Sequence, residues 1–406
     1  MKKIIYILTA VFLQCTAFGQ KQTIISVADG PWLTPTTWDC SCIPIPGSII
    51  EINHDVIFNT NFAYTSGSIT INSGASLSKD VSIRSLGMAG GSLENDGTLE
   101  LDRLGTTAGT ITNSNTMIIN QSFYNGGNFT NDGLVEQLDS LQNNGTINNN
   151  SNGRIETTNL WNNATLNNDG HLEMTYFLNS LNYSGSGIIS TSHFLNTGTA
   201  ITQDSVLISD DFMNTGNLHN TTNVPFLVIH DFLNCDSTYH DAVFTNDGFV
   251  HIGNNFTNVD TLKGTEGSFC IADSSLNTGY IKGSVDICDL TSSGPLYIDL
   301  NTGVIGANVT SCTHSCGVGI NEENSLQENV EVYPNPYSSS TTFTFHSTLP
   351  DGASLTVFDL TGNAIIIKYF GNDGIITISD ELSAGLYFYL IKNTEGKIYS
   401  GKLISL

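Results

Sequence analysis

The chain has 406 residues, of which 13% are charged and 39% hydrophobic, with 13 basic against 38 acidic side chains and a formal charge of −25. That length accommodates two or three domains with an ample core. The acidic balance argues against nucleic acid, which needs clustered Lys and Arg, and disfavours polyanionic sugars as substrates.

Taken in chain order, residues 1–19 read as a secretory signal. Lys2 and Lys3 form the basic start, Ile4 to Leu13 the apolar stretch and Ala17-Phe18-Gly19 a small-x-small cleavage site. The apolar run is too short for a stable membrane anchor. Cys15 raises lipoprotein processing as an alternative, against which Gln14 stands as an unsuitable preceding residue. Without Lys2 and Lys3, 11 basic residues face 38 acidic ones, formally −27. Export permits disulfides among Cys40, Cys42, Cys235, Cys270, Cys288, Cys312 and Cys316, an odd set. Residues 20–60 read as an N-terminal cap in which Trp32 and Trp38 cover the first coil; the functional alternative is a sugar-stacking platform.

The region 61–316 is organised by a recurring asparagine. Asn125, Asn143, Asn162, Asn179, Asn196, Asn214, Asn234 and Asn258 follow one another at 18, 19, 17, 17, 18, 20 and 24 residues. Two residues before each stands Phe123, Leu141, Leu160, Phe177, Phe194, Phe212, Phe232 or Phe256. Four residues after each comes Phe129, Ile147, Leu166, Tyr183, Ala200, Leu218, Thr238 or Leu262, with Leu77, Leu93 and Ile111 as earlier members of that ladder. Gly127, Gly145, Ala164, Gly198 and Gly216 stand second after the asparagine, and Asn-Asp-Gly recurs at 95–97, 131–133, 168–170 and 246–248. Repetition at a fixed short period means stacked units that bury one face on the next. A period near 18 with short strands between Gly, Asn and Asp turns predicts a parallel β-helix, in which stacked asparagines bond one to the next. Cys270 and Cys288, one coil apart, are placed on neighbouring rungs at disulfide distance, and Cys312 with Cys316 could close a small loop. A zinc site from Cys40 and Cys42, or Cys312 and Cys316, with His54 or His314 is the weaker alternative, since neither spacing matches a standard finger.

Two constellations in the coils could carry chemistry. Glu136, Glu156 and Glu173, with Glu100 two coils earlier, fall on successive rungs, and paired carboxylates near 5 Å are what retaining glycoside hydrolysis requires. The plainer reading is a solvated face neutralised by Arg154; a cation site is the third. The second is the patch Asp210, Asp211, His230 and Asp231, with His193 aligned beside it and His219 and His240 on neighbouring coils. It could hold an acid–base pair or a metal, and solvent-facing polar positions produce the same pattern. Only seven basic residues (Lys21, Lys79, Arg84, Arg103, Arg154, Lys263 and Lys282) fall in 20–328, which hardly supplies the cationic groove of a polysaccharide lyase. The chain has no Gly-x-Ser-x-Gly elbow, His-Glu-x-x-His motif or phosphate loop. Neither constellation is therefore assigned as catalytic or metal-binding, and no cofactor is expected.

After a polar linker at 317–329, residues 330–406 change texture. Alternating runs at 342–345, 354–358, 375–378 and 386–391 between Gly, Asp and Asn turns predict a small antiparallel β-sandwich. Four motifs in order mark it: Val332-Tyr333-Pro334-Asn335-Pro336, Val357-Phe358-Asp359-Leu360-Thr361-Gly362, Leu382-Ser383-Ala384-Gly385-Leu386-Tyr387-Phe388-Tyr389, and Gly396-Lys397 with Gly401-Lys402-Leu403. With these the segment resembles the type A C-terminal sorting domain of the type IX secretion system, and residues 25–300 more loosely resemble β-helical cargo found with it. The resemblance implies passage of the inner membrane by a signal peptide and of the outer membrane by that machinery. It further implies removal of the domain and release of the remainder or its attachment to surface lipopolysaccharide. The expectation is thus an all-β, exported, cell-surface-directed solenoid, adhesin-like or structural, that binds glycans or neighbouring proteins; a carbohydrate-active hydrolase is the alternative.

Overall fold

The computed structural model describes residues 23–137, 139–221, 225–235, 241–292, 298–313, 316, 330–345, 354–358, 364–369, 375–379, 382–383, 385–392 and 398–405. The signal segment 1–19, the linker 317–329, Thr238, His240, His314 and the segment 359–362 lie outside the described residues. Contacts divide the chain into two units, residues 1–314 and 315–406. Among the described residues no helix is long and apolar enough to cross a membrane.

The first unit is a parallel β-solenoid of three-stranded coils. In one coil Asn128–Asn131 lies on the first face, Leu134–Gln137 on the second and Ser140–Asn143 on the third, before Thr146–Asn149 returns to the first. The first face is a 15-stranded parallel sheet. Fourteen steps of about 4.8 Å give a ladder of roughly 70 Å. At both ends the repeat is degenerate in sequence but the pairing persists. Thr23–Ile25 already pairs in parallel with Ile49–Ile52, so the ladder runs into the segment read as a cap.

Alternation explains each strand. In Asn128–Asn131, Phe129 and Asn131 are buried while Asn128 and Thr130 point outward. The buried apolar side chains stack rung upon rung: Phe177, Phe194, Phe212, Phe232 and Phe256 succeed one another at ring centroid distances of 4.7, 5.5, 5.0 and 5.5 Å. On the first face the ladder runs Ile69, Leu93, Ile111, Phe129, Ile147, Leu166, Tyr183, Ala200, Leu218, Phe244, Leu262 and Ile281. Two sequence assignments change here. Leu77 belongs to the second face, between Val56 and Leu99. Phe244, not Thr238, follows Leu218, because that coil carries extra residues ahead of the strand and the register resumes only at Val243.

The asparagines form two buried ladders. In the first, each Nδ2 donates to the next Oδ1 from Asn125 through Asn143, Asn162, Asn179, Asn196, Asn214, Asn234, Asn258 and Asn277 to Asn301, at 2.7–2.8 Å. In the second, Asn95, Asn113, Asn131, Asn149 and Asn168 do the same. These side chains also donate to turn carbonyls, for example Asn131 to Gly133 and Asn214 to Gly216, which satisfies backbone groups that strand pairing leaves over. Among the described residues, the two buried Oδ1 atoms that lack a partner, those of Asn95 and Asn125, begin their ladders. The preceding rungs offer Ile71 and Thr106, neither of which donates to them. The glycines after the asparagines are required by close approach: a Cβ on Gly145 would lie 2.1 Å from the Gly127 carbonyl oxygen.

Disulfides sit at both ends. Cys40 is bonded to Cys42. Cys288 and Cys270 are register partners, as their spacing predicts, yet Cys288 is bonded one rung onward to Cys312. Cys312 is thus taken by Cys288, so the expected loop from Cys312 to Cys316 does not form, and neither cysteine pair is available for zinc. Cys235 stands outside the disulfides. Trp32 and Trp38 are fully buried, edge to face at 5.2 Å, with Trp32 equally close to Phe58. Trp38 Nε1 donates to the Trp32 carbonyl. Their faces are unavailable to a sugar; they fill the first coils.

The second unit is an antiparallel sandwich. One sheet pairs Val330–Tyr333, Thr341–Phe345 and Ile375–Ile378 in that order. The other runs Ala364–Tyr369, Ser354–Phe358, Gly385–Lys392 and Ile398–Ser405. Tyr337, Phe343, Leu355, Val357, Ile376, Ile378, Ile391 and Leu403 form its core.

Candidate functional site

The glutamate row on the second face is in register as its spacing requires. Glu136 pairs with Glu156 and Glu156 with Glu173, while Ile118 separates Glu136 from Glu100. Stacked carboxylates at rung distance repel unless a cation intervenes. Arg154 intervenes: its guanidinium pairs with Glu156 through Nε and donates from a terminal nitrogen to Glu173 at 2.7 Å. Half-buried His171, register partner of Arg154, is held below its usual pKa first by burial and then by the Arg154 charge. Glu156 and Glu173 thus share Arg154 as their counterion.

The His/Asp patch does converge, at the corner between the second and third faces. On one rung two residues, Ser192 and His193, separate Thr191 from Phe194; on the next, three residues, Ser209, Asp210 and Asp211, separate the register partners Ile208 and Phe212. The extra residue brings Asp210 between two imidazoles, 3.3 Å from His193 Nε2 and 2.7 Å from His230 Nδ1. The His193 ring stacks on Tyr176 at 4.8 Å and 12°. His193, Asp210 and Asp211 each place a donor atom within 4.8 Å of the others. Asp231 is spent elsewhere, accepting from Asn254 and Asn255. His219 lies away on the first face, bonded to Asp247 at 2.7 Å; burial opposes the Asp247 charge, but the hydrogen bonds from His219 and Thr265 outweigh it and hold the carboxyl below its ordinary range.

A third feature was not anticipated. On the third face, the residue between each buried Phe or Leu and the ladder asparagine points outward. Successive rungs there carry Tyr124, Gln142, Trp161, Leu178, Leu195, Met213 and Leu233. Tyr124, Trp161 and Met213 are exposed at 37–38%. Six of these seven positions are apolar or aromatic on a face open to water, a stripe interrupted at Gln142. The signal was present as the middle residue of every Phe-x-Asn or Leu-x-Asn triplet. Toward the N-terminus the same column shrinks to Ala63, Gly87 and Gly105. There it floors a depression of about 460 Å³, bordered by Arg103, Ser122 and Tyr124. Nothing lies within 4 Å of a Cβ built on Gly105, and the nearest atom at Gly87 is at 3.8 Å, so the depression reflects missing side chains rather than crowding.

In the second unit the motif residues hold the fold together. Asn335 clasps the last strand, donating to the Lys402 carbonyl at 2.7 Å and accepting from Ile404 N at 2.9 Å. Tyr387 Oη donates to the Ser383 carbonyl, and Ser405 Oγ to that of Leu382. Tyr389 packs edge to face on Phe343 at 4.9 Å, and burial raises its pKa. Its ring crosses Gly401, its register partner, where a Cβ would fall 2.2 Å from the hydroxyl. By contrast, Ile365, Ile367 and Tyr369 stand exposed on the edge strand Ala364–Tyr369.

Residues 331–405 match the family described as secretion system C-terminal sorting domain. The chain therefore carries a type IX secretion sorting domain behind a β-solenoid, is recognised by that machinery and is exported to the cell surface or the extracellular space. Among curated proteins there is no match. One solved structure, CopC from Methylosinus trichosporium OB3b, is similar over 19% of this chain and 88% of its own length, with 19% identity and a TM-score of 0.16. That value is too low to inform fold or function.

Proposed function

We propose that the exported solenoid is a non-enzymatic, adhesin-like surface protein that uses the outward stripe of its third face to hold glycans or neighbouring proteins. The observation that supports this reading is the column from Tyr124 to Leu233: a rigid sheet presents large apolar side chains to water at every rung but one. Such a row stacks on flat apolar faces, including those of sugar rings, and gains from each ring covered. The neighbouring depression by Ala63, Gly87 and Gly105 extends the surface with a place where a ligand can approach the backbone. The hydrolase alternative draws on the glutamate row, whose Arg154 pairing argues for a structural role.

The test is binding of the purified chain to a glycan panel and to whole cells, compared with a Tyr124→Ser, Trp161→Ser, Met213→Ser variant. These positions face solvent, so the fold should persist. A tenfold or greater loss of retention is expected; undiminished binding refutes the assignment to this face. Release of reducing ends that Glu156→Gln or Glu173→Gln abolishes would establish the hydrolase instead.

A further inference from the structure

We infer that the corner built by His193, Asp210 and Asp211 is a binding site for a divalent transition-metal cation of the zinc class, with His230 as the residue that positions Asp210. Three observations carry it. The donor atoms, one imidazole nitrogen and two carboxylate oxygens, already lie within 4.8 Å of one another, although they come from two different coils. Small rotations of half-buried His193 and Asp210 and of exposed Asp211 bring such a set to the ~2.0–2.2 Å metal–ligand distances of a zinc site. The convergence depends on the longer corner Ser209–Asp211, which places two carboxylates where the rung before has His193 alone. Finally, both outer groups are restrained. Tyr176 stacks on His193 and limits the plane of its ring, and His230 Nδ1 holds the Asp210 oxygen that faces away from His193.

The chemistry selects the cation. Imidazole with carboxylate suits zinc, nickel, cobalt or copper(II), whereas calcium prefers an all-oxygen set of six or more ligands. Two carboxylates balance the dication, and water completes the shell, since the corner is only partly covered. Asp210 pairs with both histidines; on cation binding its Oδ2 turns to the metal while Oδ1 keeps His230, the arrangement in which an outer partner orients a ligating group. The His219–Asp247 pair shows what the corner adds. It has one imidazole and one carboxylate and, among the described residues, no third ligating group beside them.

The experiment is calorimetric titration of the purified chain with Zn²⁺ alone in chelator-free buffer, together with visible absorption of the Co²⁺-loaded protein. One saturable site is expected. His193→Ala and Asp211→Asn should each weaken it by at least tenfold and change the Co²⁺ bands. His230→Gln should weaken it by about 10- to 100-fold, as loss of an outer partner does. His219→Gln should leave it unchanged, and thermal midpoints in EDTA should agree across the set, which keeps folding separate from binding. The proposal is overturned by the absence of Zn²⁺ binding below millimolar concentration. It is equally overturned by a site that survives the double change His193→Ala, Asp211→Asn, or by Ca²⁺ binding as tightly as Zn²⁺.

Discussion

Asn179→Leu tests whether the asparagine ladder acts as a connected chain. The Asn179 side chain is fully buried. It donates to Asn196 Oδ1 at 2.7 Å and to the Thr199 carbonyl at 3.0 Å, and it accepts from Asn162 Nδ2 at 2.7 Å. After substitution Asn162 Nδ2 keeps the Asn182 carbonyl at 2.7 Å, but Asn196 Oδ1 loses its donor. An orphaned buried acceptor costs about 1–3 kcal/mol, and each lost bond contributes about 0.5–1.5 kcal/mol net. With some return from the apolar side chain, a loss of about 3 kcal/mol follows. Asn196→Leu should cost a similar amount alone, yet in the double variant it removes the very acceptor that the first change orphaned. The double loss should therefore fall short of the sum by about 1–2 kcal/mol. Asn125→Leu is the internal control. It removes an oxygen that already lacks a donor, and Asn143 Oδ1 retains the Gly145 amide, so this change should be the mildest. Urea unfolding combined with hydrogen exchange, which localises the loss in a solenoid whose coils need not unfold together, supplies the measurement. Additive losses, or an Asn125 change as costly as that at Asn179, would refute the reasoning.

Two further expectations concern the other unit and the response to acid. Gly401→Ala sets a methyl group into the Tyr389 ring; the full-length protein should then accumulate inside the cell, and normal export, measured by surface labelling, would show that the sandwich tolerates the clash. Half-buried His171 and His251 have pKa values lowered by burial, with Arg154 adding to the effect at His171. As pH falls below the unfolded value of about 6.5, the unfolded chain takes up protons first. Stability is therefore full above that value and is lost as pH falls through the folded pKa values. The urea midpoint should drop between pH 7.5 and 5.5, and His251→Gln should flatten the drop; an unchanged pH profile in that variant would remove His251 from the account.

Much of the molecule is legible because a solenoid repeats one local problem. Phe-x-Asn with glycine two residues on specifies an inward ring, an outward residue, an inward amide and a tight turn, and the solution for one coil is the solution for its neighbour. Period, glutamate register and the core ladder from Leu93 to Leu218 follow from that spacing alone. The sorting domain was equally readable, since Asn335 is held by the backbone of the last strand and Tyr389 by the bare Gly401, needs that few other residues meet.

What the sequence could not decide is where extra residues enter a coil, because an insertion shifts register without changing composition. One added residue at Ser209–Asp211 turns a scatter of polar side chains into a cluster around Asp210. Additional residues before Val243 bring Phe244 under Leu218 in place of Thr238. Equivalent rung spacing allows Cys288 to meet either neighbour, and only the closing coils select Cys312 over Cys270. The amino-acid sequence by itself determined the rung, its period and its address for export. The tertiary structure decided which side chains meet across rungs, because a contact between coils depends on the length of every corner between them.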